Sequence, residues 1–298
     1  MNEDLAKDNR SLAPLERLDR RGFVTTALAG GFAAATLPIS ASTISTDTDS
    51  LVTAEAQIPV EDGFAPAYFA RPAAAGAWPV VLVVQEIFGV HEHIRDVCRR
   101  FAKRGAFAVA TELFARQGNP ATVVDRQALM RDIVGRVPDQ QVLQDLDASV
   151  AWARAQGATG KLGITGFCWG GRITWLYAAH SPELAAGVAW YGRLVGQPTA
   201  LQPKHPLDVA AVLRAPVLGI YAGEDAGIPL ATVEQMQSAL QAPGVSVAAQ
   251  ASSINVYLQA QHGFYADYRA SYRAEDAIPA FEQACDFFNR YGLALKNI

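Results

Sequence analysis

Cys168 stands in the run Gly163-Ile164-Thr165-Gly166-Phe167-Cys168-Trp169-Gly170-Gly171. A cysteine thiolate is a strong nucleophile. Glycines two positions to either side let a chain turn sharply enough to lift the side chain between them clear of a strand end. A helix starting just after Cys168 would aim its first amides at the sulfur and favour the charged form. Alone, the pattern also describes a glycine-rich turn with an incidental cysteine. Two later residues complete a constellation in the order nucleophile, acid, histidine. An acid in Ala222-Gly223-Glu224-Asp225 leaves the apolar run 215–221, and Asp225 is the better placed of its two carboxylates. His262 follows a further strand, in Gln261-His262-Gly263-Phe264, where it can act as general base with Asp225 fixing its tautomer.

The other candidates have plainer readings. Cys98 and Cys285 fall on apolar helix stripes, where cysteine behaves as a small hydrophobe. His180 closes a helix and His205 precedes Pro206 in a loop. His91 and His93 form an H-x-H pair, but no carboxylate or cysteine cluster accompanies them as a metal site would need. No metal and no cofactor is implied.

These residues need a frame. The apolar run at 79–85 has the pattern of a strand buried on both faces, 106–110 reads as a second buried strand, and 161–165, 185–191 and 216–221 read as further strands. A further strand is expected over 245–257, and an antiparallel leading pair over 56–60 and 65–70. Helical patterns at 91–104, 121–156 with a break at Pro138, 169–180, 228–240 and 277–291 lie between and after them. Alternation of this kind predicts an α/β fold, with a mainly parallel central sheet and helices on both faces. One domain is expected from residue 55 to 298, with 42–54 as linker.

The chain has 298 residues, 50% of them hydrophobic, and a net charge of −4 with both signs interspersed. That excludes the basic stripe of a nucleic-acid binder and leaves small molecules as the default partner. At the N-terminus, Arg20-Arg21 precedes an alanine- and glycine-rich run to Leu37, then Pro38-Ile39-Ser40-Ala41. Residues 1–41 therefore read as a twin-arginine export signal, with the export machinery as partner and a periplasmic or secreted destination. The run is too short and too interrupted by glycine to span a bilayer stably.

The elbow, together with Gln85-Glu86-Ile87-Phe88-Gly89-Val90, Gly223-Glu224-Asp225 and His262-Gly263-Phe264, resembles the dienelactone hydrolase family over roughly residues 55–295. The run Glu112-Leu113-Phe114-Ala115-Arg116-Gln117 matches more weakly, with glutamate where the family carries aspartate. The resemblance implies an α/β-hydrolase fold and hydrolysis of a lactone or activated ester. It implies Cys168 as nucleophile, His262 as base and Asp225 as its orienting acid. It adds Glu86 beside the thiol, and the backbone amides of Ile87 and Trp169 as oxyanion hole. For Glu86 the alternative is an ion pair with Arg95 or Arg99. Family members acting on dienelactone hold the substrate carboxylate with arginines, one of them four residues after the histidine. That position is Ala266 here. Arg269 and Arg273 lie near enough to substitute, or are solvated charges. Arg269, Phe264 and Tyr191 are the candidate substrate contacts. Other esters, thioesters or peptides remain alternative substrates, and a non-catalytic binding or redox-sensing protein is the alternative outside enzymes.

Overall fold

The computed structural model describes residues 43–296. The expected export signal lies outside them. Eight strands form one sheet in the order β1-β2-β4-β3-β5-β6-β7-β8. They are β1 (Leu51–Val60), β2 (Gly63–Pro72), β3 (Val80–Val84), β4 (Phe107–Thr111), β5 (Leu162–Phe167), β6 (Leu184–Trp190), β7 (Val217–Ala222) and β8 (Ser253–Tyr257). β1 pairs antiparallel with β2, and β2 with β4; every other pairing is parallel. All five residues of β3 are buried. Each such valine or leucine contributes about 1.5–3 kcal/mol over an exposed one, which fixes this run at the centre of the sheet.

The helices are α1 (Glu92–Lys103), α2 (Arg126–Asp132), α3 (Asp139–Ala155), α4 (Trp169–His180), α5 (Pro206–Val209), α6 (Leu230–Leu240), α7 (Val247–Gln250) and α8 (Ala274–Arg290). Two glycines of β5 show how they cover the sheet. A Cβ on Gly163 would meet Phe288 of α8, whereas one on Gly166 would meet Gly170 and Thr174 of α4. Residues three apart on a strand point to opposite faces, so α8 and α4 lie on opposite sides. α1 packs with α8 through Phe101 and Phe281, ring centroids 5.1 Å apart. α3 and α4 are joined by the Tyr177 hydroxyl donating to Asp147 at 2.9 Å.

Two expectations need correction. The expected linker 42–54 is, over its described residues 43–54, no free linker. β1 begins at Leu51, and ahead of it the Thr46 amide donates to Asp96 of α1 at 2.6 Å while Arg99 Nε donates to the Thr46 carbonyl at 2.9 Å. The run 245–257 is not one strand. Ser246 accepts the Ala249 amide at 3.1 Å and caps the short helix α7, leaving only Ser253–Tyr257 for β8. Among the described residues, no helix is long and apolar enough to cross a membrane.

Candidate active site

β5 delivers Cys168 at the end of its run, and α4 starts one residue later. Cys168 has φ 54° and ψ −111°, a strained conformation for a residue with a Cβ. Its amide donates to the Trp190 carbonyl at 3.0 Å and its carbonyl accepts the Gly171 amide at 3.0 Å, so both sides of the turn are pinned. The glycines are required by close backbone approach. A Cβ on Gly170 would lie 2.5 Å from the Val84 carbonyl oxygen, and one on Gly166 would collide with Gly170. Arg172, buried in the first turn of α4, makes a two-pronged pair with Asp139 at 2.7 Å for each contact, locking this helix to the start of α3. Trp169 opens α4, and a helix's first amides have no intrahelical acceptor.

Asp225 and His262 come from loops that abut at the ends of β7 and β8. The Gly223 amide donates to the Tyr257 carbonyl at 2.8 Å and the Glu224 amide to the Ala260 carbonyl at 2.9 Å. Gly223 permits this contact, since a Cβ there would sit 2.7 Å from Leu258 Cα. His262 Nδ1 then lies 2.7 Å from Asp225 Oδ2. Asp225 Oδ1 accepts the amides of Gly227 at 2.9 Å and Ile228 at 3.1 Å, which fixes the carboxylate plane. A carboxylate accepts only, so the proton sits on Nδ1 and Nε2 is left as the basic nitrogen.

Glu86 is fully buried just beyond β3. Its hydrogen bonds go to the Tyr268 hydroxyl and to Arg269 Nη2 at 2.7 Å, and His91 Nε2 lies 3.4 Å away. The expected alternatives fail because their partners are elsewhere: Arg95 is held by Glu55, and Arg99 by Glu92 and Asp96. Burial pushes the Glu86 carboxyl up, but Arg269 and His91 outweigh it and hold it well below the usual carboxylate range. Arg269 is therefore not a solvated charge; its side chain is 3% exposed, its guanidinium stacks over Phe88 at 5.6 Å, and Cys168 and Tyr191 contribute to its electrostatic environment. Arg273 instead pairs with Glu275 and Asp276 at the start of α8. Ala266, at the position where the family pattern carries an arginine, is wholly buried.

Tyr191 is buried at φ 34° with its ring 5.1 Å from that of His262 and its hydroxyl without a hydrogen-bond partner. Phe264 departs from its expected part as a substrate contact. It is fully buried and packs on Trp190, Tyr191 and Tyr257, so it supports the histidine loop from below. The turn bearing Ile87 is closed by an antiparallel bridge between Glu86 and Gly89 (φ 78°), and Glu112 Oε2 accepts the Val90 amide at 2.7 Å. A Cβ on Gly89 would lie 2.7 Å from that carboxylate.

Cys98 and Cys285 are buried, and burial raises both thiols, Cys285 to about 12, so neither competes as a nucleophile. His180 Nε2 pairs with Asp147 at 2.7 Å, and His205 accepts from Arg172 Nε at 3.3 Å. The rings of His91 and His93 stack 6.1 Å apart, each beside its own carboxylate. No group of three or more His, Cys, Asp or Glu side chains suited to a metal occurs among the described residues. Sequence reasoning passed over Tyr268 and Asp267, whose sole signal was nearness in sequence to Arg269, and gave Glu112 no role beyond its place in the weakly matching run at 112–117.

The lowered Glu86 and Asp267 carboxyls link stability to pH. A carboxyl whose folded value is depressed contributes stability that is whole above its unfolded value and is lost as pH falls through the folded one. The ordinary values are 4.5 and 3.8, so the loss falls in the acid range below them. Glu86→Gln should melt lower than wild type at pH 7, because it strands the Arg269 charge at a cost of about 3–5 kcal/mol. Its melting temperature should also fall less steeply below about pH 4.5, as thermal melts across pH would register. Parallel acid slopes for the two proteins would contradict the assignment.

Comparison with known proteins gives a consistent relation. The model of the dienelactone hydrolase family matches residues 65–292. A protein of Methylorubrum extorquens provisionally named carboxymethylenebutenolidase is 55% identical over 290 residues, covering 96% of this chain and 98% of the relative. A protein of the same provisional name from Escherichia coli is 48% identical over 264 residues, covering 88% of this chain and 96% of its own. The crystal structure of a provisionally named dienelactone hydrolase from Klebsiella pneumoniae superposes with a TM-score of 0.77 at 51% identity, over 81% of this chain and 99% of the other.

Proposed function

The chain belongs to the dienelactone hydrolase family of carboxylic ester hydrolases, and from that premise we propose that it opens a carboxylate-bearing lactone, or cleaves a similarly activated ester, through Cys168. The observation carrying this reading is the pair of devices at the sheet's C-terminal edge: a strained cysteine heading a helix, and a histidine locked on Asp225.

In this mechanism the Cys168 thiolate attacks the carbonyl carbon. The oxyanion is received by the Ile87 and Trp169 amides, and collapse breaks the carbon–oxygen ester bond to leave a thioester. His262 Nε2 takes a proton from water, which attacks the thioester and releases the acid and the thiol. Tyr191, with an unsatisfied buried hydroxyl beside His262, is suited to donate to a substrate oxygen. An activated ester suits a thiol because its leaving group needs little protonation.

Arg269 supports the carboxylate part of the substrate. Its guanidinium is a buried cation that interacts electrostatically with Cys168, and a substrate carboxylate competing for it would loosen its hold on Glu86. Glu86 would then regain proton affinity and could accept the thiol proton as substrate arrives. The names of the relatives point the same way, since a carboxymethylenebutenolide carries both a lactone and a carboxylate. Arg269→Gln should raise KM for a carboxylate-bearing lactone about 100-fold, the worth of a lost charge-assisted pair, and change a neutral aryl ester by about threefold. Equal effects on the two substrates would refute carboxylate recognition. The paired arginines at 20 and 21 and the apolar run after them support export of the folded chain to the periplasm.

A further inference from the structure

The loop after His262 carries Asp267, Tyr268 and Arg269 in succession. The second and third hold Glu86. Asp267 is bound to other elements. Its fully buried carboxylate pairs with His93 Nδ1 at 3.0 Å and accepts from Arg100 Nη2 at 2.6 Å and from the Ile44 amide at 3.2 Å. Two of these donors belong to α1 and the third to the segment ahead of β1, so three groups from two elements remote in sequence converge on one carboxylate. The Tyr268 ring then packs against His91 at 5.0 Å and His93 at 5.4 Å. α1 is itself anchored by Ile94, Val97, Cys98 and Phe101, all but inaccessible to solvent.

We infer that Asp267 is a positioning residue, which ties the loop to α1 so that Arg269 stays seated on Glu86 beside Cys168. The physical argument is one of constraint. Arg269 lies two residues from a carboxylate held by three partners on two elements, so its backbone has little freedom to drift. The Glu86–Arg269 pair must be breakable for the proposed reaction, and a pair that is to be broken by substrate needs a rigid support outside itself to re-form. The H-x-H motif thereby finds a use with no metal: His93 anchors the loop, and His91 faces the carboxylate that the loop holds. The kinetic consequence rests on the proposed reading of Arg269; the positional one does not.

The test uses the full-length chain with Asp267→Asn. Phenylglyoxal labelling of Arg269, read by peptide mass spectrometry well below the melting temperature, reports directly whether the guanidinium has left its place. Labelling at least about tenfold faster than in wild type is expected, since local opening governs access to a buried group. KM for a carboxylate-bearing lactone should rise about tenfold while that for a neutral ester changes by no more than about threefold, and Asp267→Asn should add nothing in an Arg269→Gln background, the non-additivity of residues acting through one another. A folded Asp267→Asn protein whose Arg269 labels at the wild-type rate overturns the inference. Fast labelling with an unchanged lactone KM upholds the positioning and counts instead against carboxylate recognition. Should Asp267→Asn fail to fold, His93→Phe removes one of the three donors and is read by the same labelling, with the same outcomes.

Discussion

Cys168→Ala is expected to lower kcat on an activated ester by about four orders of magnitude or more while leaving the melting temperature at or above that of wild type. The two halves of that result have separate causes. Activity goes because no other thiol can take over: Cys98 and Cys285 are buried, and their thiols are raised by that burial. What survives is the polarisation of the carbonyl by the oxyanion amides and simple binding, which in comparable triads leaves a residual rate well above that in water. Stability is kept because the elbow does not depend on the sulfur. Its backbone is pinned by the Trp190 carbonyl and the Gly171 amide, and alanine tolerates φ 54° no worse than cysteine does. Stopped-flow release of a chromogenic alcohol makes the test sharper, because wild type should show a burst of about one equivalent and the variant none. Retention of a tenth of the activity would exclude Cys168 as the attacking group.

The centre of the sheet was legible in the sequence because its strands are buried on both faces. Runs such as Val80–Val84 and Val217–Ala222 carry no polar interruption, and nothing but a central strand has that pattern at that length. The elbow was legible for a related reason, since Gly166 and Gly170 are demanded by backbone contacts that no side chain permits. What escaped were features set by long-range packing. The exposed and half-buried β8 has no run to advertise it, and the Ser246 cap competed for the residues before it. The segment joined to α1 through Thr46 looked like a linker because its buried ties there, at the Thr46 amide and carbonyl, are made by backbone groups, which composition does not report. Phe264 lost its expected role as a substrate contact, and Arg269 proved buried on Glu86 rather than solvated, for the same reason. One residue of offset in a loop decides whether a side chain reaches Glu86 or the core beneath His262, and loops carry no periodicity to fix that offset.

Asp225→Asn should reduce kcat by about 10³–10⁴-fold, with a signature unlike that of the cysteine variant. Asparagine can keep the bonds from the Gly227 and Ile228 amides only through its carbonyl oxygen, because its nitrogen does not accept. That orientation turns its amino group toward His262 Nδ1, which must then act as acceptor and carry no proton. The proton moves to Nε2, and the nitrogen that should take a proton from water now already holds one. Formation of the thioester suffers less than its hydrolysis, since Glu86 can accept the thiol proton whereas water has no other base. The variant should therefore release about one equivalent of alcohol and stall as a covalent thioester on Cys168, visible as a mass increase equal to the acyl group. Nucleophiles more reactive than water, such as hydroxylamine, should discharge that adduct and restore turnover. An Asp225→Asn protein with unaltered kcat would mean that the imidazole is the base for neither step, and one that stalls with Cys168 unmodified would mean that it serves the first step, so that the division of labour between Glu86 and His262 would have to be reversed.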